Sequence, residues 1–256
     1  MKNIIDNIKL EEDLFPKDFT NFEEREFGIL FYNTKTPNSY DSNHAVIHKE
    51  KVKNLSTVLQ EITSFYHERN LQPTIYQATG EVNYFIDNKT VFKSNGYSVW
   101  EEGPLDYMLL QADNQLETSN QLRIEHLEEW DERIANDIFI PSEEPWEIEV
   151  VKNNLKSPKY KVFVAYLEEK AVAITYFHIS NLECCRFDYI IVSKEYRKSG
   201  YARELLSYVT NYCRKNQIKN CYQWPANEIS KKICFESGFR AVFTEITARA
   251  SYSIKE

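Results

Sequence analysis

No apolar run in this chain of 256 residues reaches the roughly 18 residues that a helix needs to cross a bilayer. The opening residues, Met1-Lys2-Asn3-Ile4-Ile5-Asp6, carry no long apolar stretch of the kind a secretory signal requires. Both absences argue against a membrane protein and lead to the expectation of a cytoplasmic one. Cysteine is scarce. Cys184 and Cys185 are adjacent, and Cys213, Cys221 and Cys234 follow without C-x-x-C spacing. Neither a disulfide framework nor a zinc site is therefore expected, and the thiols read as small buried apolar groups. Excess positive charge is also missing. A net charge of -8 makes non-specific nucleic-acid binding a poor expectation. Glycine is rare too, at six residues, so a glycine at the mouth of a helix carries information.

What is present is ample material for a core, with 42% hydrophobic and 14% aromatic residues, in a length that suits two domains or one large one. Charge divides along the chain. Residues 146–256 hold 18 Lys and Arg against 12 Asp and Glu, and residues 1–145 hold 13 against 27. The halves are thus +6 and -14, which suits two ligands or faces of opposite character.

The second half has the clearer pattern. Residues 161–167, 171–177 and 186–192 read as a three-strand meander, with a turn at Glu168-Glu169-Lys170. Ala202, Leu205, Leu206, Val209 and Cys213 recur at helical spacing between Gly200 and Asn216. Residues 220–224 form a short strand stopped by Pro225, Asn227 caps a helix that ends near Gly238, and strand-like sequence runs from Phe239 to Tyr252. Two helices are expected before the meander, at 126–138 and 145–156. The first half repeats part of this order: a strand at 43–48, a helix through Leu55, Val58, Leu59, Ile62 and Tyr66, a strand at Thr74-Ile75-Tyr76-Gln77, then Val91-Phe92-Lys93-Ser94-Asn95-Gly96-Tyr97, which parallels Ile233-Cys234-Phe235-Glu236-Ser237-Gly238-Phe239. Such a repeat suggests duplication.

Between the third meander strand and the long helix lies Val192-Ser193-Lys194-Glu195-Tyr196-Arg197-Lys198-Ser199-Gly200-Tyr201-Ala202. A turn here aims backbone N–H groups and the positive end of a helix into one space, as a pyrophosphate requires. Gly200 lets a phosphate approach the backbone, and Arg197 and Lys198 add charge. Arg197-x-x-Gly200-x-Ala202 resembles the acetyl-CoA loop of the GNAT superfamily of N-acetyltransferases, and Ile190-Ile191-Val192 resembles the strand before it. The resemblance implies an α/β (α+β) fold, a GNAT-like mixed, mostly antiparallel sheet flanked by helices. The repeat suggests two tandem copies: residues 1–118 as a degenerate copy bracing the site or shaping its cleft, and 119–256 as the acetyl-CoA-binding domain.

The same resemblance implies an acetyl group passing from acetyl-CoA, as co-substrate, to a primary amine that attacks the thioester directly. Val192's backbone would bond the thioester carbonyl where its strand bulges from a neighbour. Arg197, Lys198, Ser199, Gly200, Tyr201 and Ala202 would hold the pyrophosphate, and Asn227 the CoA arm. The family often places a thiol-protonating Tyr five residues before the Phe of the Gly-Phe pair, where this chain has Cys234; Tyr201 and Tyr222 are substitutes. Asp188 is the candidate base, with Glu183 as the other. His44 and His48 share a strand face without making a metal site, and no metal is expected. The copy at 1–118 lacks the loop, since His48-Lys49-Glu50-Lys51-Val52-Lys53-Asn54 holds no glycine. Thirteen Asp or Glu in 101–144, against Arg123 and Arg133, favour a cationic small-molecule or peptide amine as partner. Neither nucleic acid nor membrane is expected, and a homodimer is allowed. The rival reading is a non-catalytic acyl-CoA binder or scaffold.

Overall fold

The structure, a computed structural model, describes residues 2–111 and 121–253. It has two compact units, residues 1–105 with 244–256 and residues 106–243. The domain boundary expected at 118/119 lies outside the described residues. Among them, no helix is long and apolar enough to cross a membrane.

In the first unit, α1 (Lys2–Leu14) precedes β1 (Asn21–Arg25), β2 (Gly28–Tyr32) and β3 (Ala45–Ile47), which pair antiparallel in turn. Helix α2 (Leu55–His67) crosses to β4 (Thr74–Gln77), which lies parallel to β3. Short helices α3 (Tyr84–Asp87) and α4 (Lys89–Ser94) lead into β5 (Tyr97–Leu110), whose first part belongs to this unit together with the end of the last strand. Leu59, Ile62 and Tyr66, spaced by helical turns, are fully buried with Leu30, Ile47, Ile75, Phe85 and Phe92 in one core.

In the second unit, β6 (Arg123–Leu127) is followed by α5 (Glu132–Ile134), a π turn at Ala135–Phe139 and α6 (Glu147–Asn154). Next come β7 (Tyr160–Leu167), β8 (Lys170–Ile179) and β9 (Cys185–Val192), then α7 (Tyr201–Lys215), β10 (Cys221–Gln223), α8 (Glu228–Glu236) and β11 (Phe239–Tyr252), whose start belongs here. The meander is antiparallel, β6 joins its outer edge, and β10 lies parallel to β9. The helix expected over 126–138 is therefore shorter than its pattern suggested. Residues 123–127 pair with β7, from Arg123 opposite Tyr166 to Leu127 opposite Val162, and that pairing outweighs local helical preference.

Alternation along the strands builds a core on each face of this sheet. Phe163, Ala165 and Phe177 pack with Leu205, Leu206 and Val209 of α7, whereas Val162, Val164 and Ile174 pack with Ile138, Phe139 and Val151. Each such fully buried side chain contributes roughly 1.5–3 kcal/mol relative to exposure.

Candidate active site

The site begins with a mismatch between two strands. β9 and β10 are in register only at Cys185 opposite Cys221 and Arg186 opposite Tyr222, and β10 ends at Gln223, before Pro225. β9 continues to Val192, hydrogen-bonded to β8 along one edge, and no strand among the described residues pairs with its other edge beyond Arg186. That edge, from Phe187 to Val192 and including Ile190 and Ile191, therefore offers backbone groups to an extended ligand arm.

A bulge lies at its start. Tyr176 pairs with Tyr189 and Phe177 with Phe187, which leaves Asp188 as the extra residue. The bulge thus falls at Asp188, four residues before Val192. Asp188 is exposed and ion-paired with Arg186, which is 5% exposed. Thr175 Oγ1 donates to the Tyr189 carbonyl at 2.6 Å and pins the bulge to β8.

After β9, a single 3-10 turn (Lys194–Tyr196) leads through Arg197, Lys198 and Ser199, all exposed, to Gly200. Lys198 and Gly200 have φ of 68° and 85°, left-handed values that turn the chain sharply into α7. Gly200 is the N-cap of α7 and provides no side-chain cap, so the N–H groups of Tyr201, Ala202 and Arg203 are left without one. A Cβ at Gly200 would meet nothing within 4 Å. The space in front of this helix end is open, and the helix dipole favours an anion there. Arg197 Nε donates to the Val192 carbonyl at 3.2 Å, which ties the loop to the end of β9. Lys194 and Lys170 are engaged by Glu143 and Glu195.

Asn227 caps α8. Its Oδ1 accepts from the Ser230 N–H at 2.9 Å in a reciprocal capping box, and the residue stays exposed. Cys234, on the core side of α8, is 3% exposed, and burial pushes its thiol up to about 12. Tyr222 is fully buried and Tyr201 half-buried. Glu183 lies in the turn before β9, where its carbonyl accepts from Asn220 Nδ2.

Sequence reasoning missed a cluster beside the bulge. Tyr176 Oη donates to Glu147 Oε1 at 2.6 Å, and the Tyr189 hydroxyl is buried with no hydrogen-bond partner among the described residues. Burial, then the charges of Glu147 and Glu144, hold the Tyr189 phenol above its usual value. The register that places Tyr176 opposite Tyr189 depends on the bulge, which no local pattern announces.

The first unit treats its corresponding helix end differently. The carboxylate of Glu81 accepts the Lys49 N–H through both oxygens, at 2.8 and 3.0 Å, just after β3. The Asn54 side chain caps α2 by accepting from the Thr57 N–H at 3.2 Å.

Residues 124–239 match the model of the acetyltransferase (GNAT) family. No curated protein matches the chain. A GCN5-related N-acetyltransferase from Kribbella flavida shares the fold with a TM-score of 0.66 at 10% identity, over 97% of this chain and 95% of that one. A functionally unknown conserved protein from Staphylococcus epidermidis ATCC 12228 does so with a TM-score of 0.64 at 14% identity, over 93% and 97%. An acetyltransferase of the GNAT family from Colwellia psychrerythraea gives 0.51 at 13% identity, over 89% and 81%. At such identities the likeness is one of fold. The chain therefore carries, at residues 124–239, a GNAT acetyltransferase domain, which implies acetyl-CoA as co-substrate.

Proposed function

We propose that the protein transfers an acetyl group from acetyl-CoA to a primary amine. The observation that carries this reading is the uncapped N-terminus of α7 lying directly after a strand whose outer edge is unpaired. The N–H groups of Gly200 to Arg203, with Arg197 and Lys198, take the pyrophosphate. The free edge of β9 at Ile190–Val192 takes the pantetheine arm and its thioester carbonyl, and Asn227 faces the arm from α8. The amine nitrogen attacks the carbonyl carbon, the carbon–sulfur bond breaks, the ammonium proton passes to a base, and the thiolate takes up a proton. Asp188 is the base in this scheme, since the bulge turns it out of the ladder. Cys234 is a packing residue in this scheme, because a core thiol held at about 12 is badly placed to serve a cleft. Calorimetry should find one acetyl-CoA site per chain, abolished by Gly200→Glu, and an amine panel should show turnover. Two sites, or no turnover with any amine, would refute the scheme.

The first unit reads as a degenerate copy of the second. Both place an antiparallel run of strands, a crossing helix, a parallel strand and a further helix in the same order. Its helix α2 is capped by the Asn54 side chain, and no glycine stands before it.

The acceptor in this proposal is cationic. Glu144 and Glu147 act on Tyr189, next to the bulge residue Asp188, so carboxylates gather on the acceptor side. Cationic amines should show lower KM than neutral ones of equal size, and the difference should shrink with salt. Equal KM across the panel would overturn this point.

A further inference from the structure

We propose that Cys185, Cys213 and Cys221 form a buried three-thiolate site for a soft, thiophilic metal ion, with Cu(I) as the ion that fits. The three sulfurs lie within 4.8 Å of one another, although one comes from β9, one from α7 and one from β10. Their residues are 0%, 0% and 2% exposed. Three metal–sulfur bonds of about 2.3 Å in a plane would space the sulfurs by about 4 Å, so this separation lies near the requirement.

Packing alone does not call for this convergence. Apolar residues of similar size would fill the same core, whereas three thiols meeting there bury three S–H groups that find only weak partners, one another and the Ile218 carbonyl.

Ligand chemistry selects the ion. Thiolates favour soft ions, and a structural Zn(II) requires four ligands. No fourth Cys, His, Asp or Glu joins these three among the described residues. Cu(I) is satisfied by three sulfurs. On binding, the three thiols release three protons and form three copper–sulfur bonds, with no change of oxidation state. The resulting centre carries a charge of -2. A cleft of about 280 Å³ opens beside Cys221, and Arg214 and Lys219 line it. These two lining cations offset part of that charge. The site is independent of the acyl-transfer reading.

The test uses the reduced full-length chain under anaerobic conditions, with Cu(I) supplied from a chromophoric chelator. The protein should withdraw one Cu(I) per chain, and copper-edge X-ray absorption should show sulfur neighbours only, three in number. Cys185→Ala, Cys213→Ala and Cys221→Ala should each weaken binding by about a hundredfold or more, while Cys184→Ala and Cys234→Ala leave it unchanged. Failure to compete with the chelator would overturn the proposal. So would nitrogen or oxygen neighbours in wild-type protein, a spectrum that needs no variant to fold, or tighter binding of Zn(II) than of Cu(I).

Discussion

Replacing Gly200 by asparagine separates what this residue does for the fold from what it does for a ligand. Gly200 has φ of 85°, where an ordinary L residue costs about 1–2 kcal/mol. Asparagine tolerates this region better than most, so its cost should stay near or below about 1 kcal/mol. No steric penalty adds to it, because nothing lies within 4 Å of the new Cβ. For a chain of this size the melting temperature should therefore fall by no more than about 2–4 °C. Binding should respond far more. The side chain enters the space from which a pyrophosphate oxygen would reach the uncapped N–H groups of α7. Losing one or two hydrogen bonds to a charged partner, at about 1.5–3 kcal/mol each, corresponds to at least about tenfold and up to roughly twenty-thousandfold in affinity. Scanning fluorimetry and calorimetry with acetyl-CoA read the two effects separately. Gly200→Ala should show the strain more strongly and the blockade more weakly. If Gly200→Asn melts normally and still binds acetyl-CoA with unchanged affinity, the phosphate is held elsewhere.

Cys234→Ala should cost about 1–3 kcal/mol of stability by emptying part of a filled core, while kcat of the folded enzyme stays intact; a drop confined to kcat would make the thiol the acid. Asp188→Asn should lower kcat by about a hundredfold or more with little change in acetyl-CoA affinity, measured by steady-state turnover beside calorimetry, and unaltered turnover would remove Asp188 from the chemistry. Burial pushes the Asp13 carboxyl up to about 7, against the opposing hydrogen bond from the Thr79 N–H. Since its folded pKa lies above the unfolded one, its stabilising contribution is complete below about pH 4 and is lost as pH rises through about 7. Asp13→Asn should therefore raise the melting temperature above pH 7, by the equivalent of a few kcal/mol at most, and flatten the decline between pH 4 and 8. An unchanged pH profile would show that Asp13 is not the group responsible.

The parts legible in the sequence were those written in local periods. Leu205, Leu206, Val209 and Cys213 announce α7 by spacing alone, and Gly200 announces its beginning. The meander of β7, β8 and β9 shows in runs of β-formers between a turn at Glu168-Glu169 and a polar connection. What was illegible depends on register between distant residues. The bulge at Asp188 exists only relative to Tyr176 and Phe177, and the Arg186 partner of Asp188 lies two positions away, on a strand where alternation alone says nothing of ion pairing. Residues 126 and 127 looked like the start of a helix because the strand that claims them, β7, begins more than thirty positions later. The thiol cluster was hidden for the same reason: no spacing rule links Cys185, Cys213 and Cys221, which meet because a helix crosses between two parallel strands.

That crossing occurs in both units, and the two helix ends differ in how they are capped. A helix beginning after a parallel strand presents unsatisfied N–H groups and a partial positive charge in either unit. In the second unit Gly200 has no side chain to cap α7. In the first unit the helix end is capped by a side chain. Asn54 caps α2, and Glu81 spends both oxygens on the Lys49 N–H. Burial first, and then the neighbouring Glu50, push the Glu81 carboxyl up to about 7, so holding it there is costly. Binding a pyrophosphate at the first helix end would require displacing the Asn54 cap. The bare glycine before α7 and the Asn54 cap on α2 are thus opposite treatments of the same helix-end N–H groups, and the difference between them sets the expected stoichiometry at one.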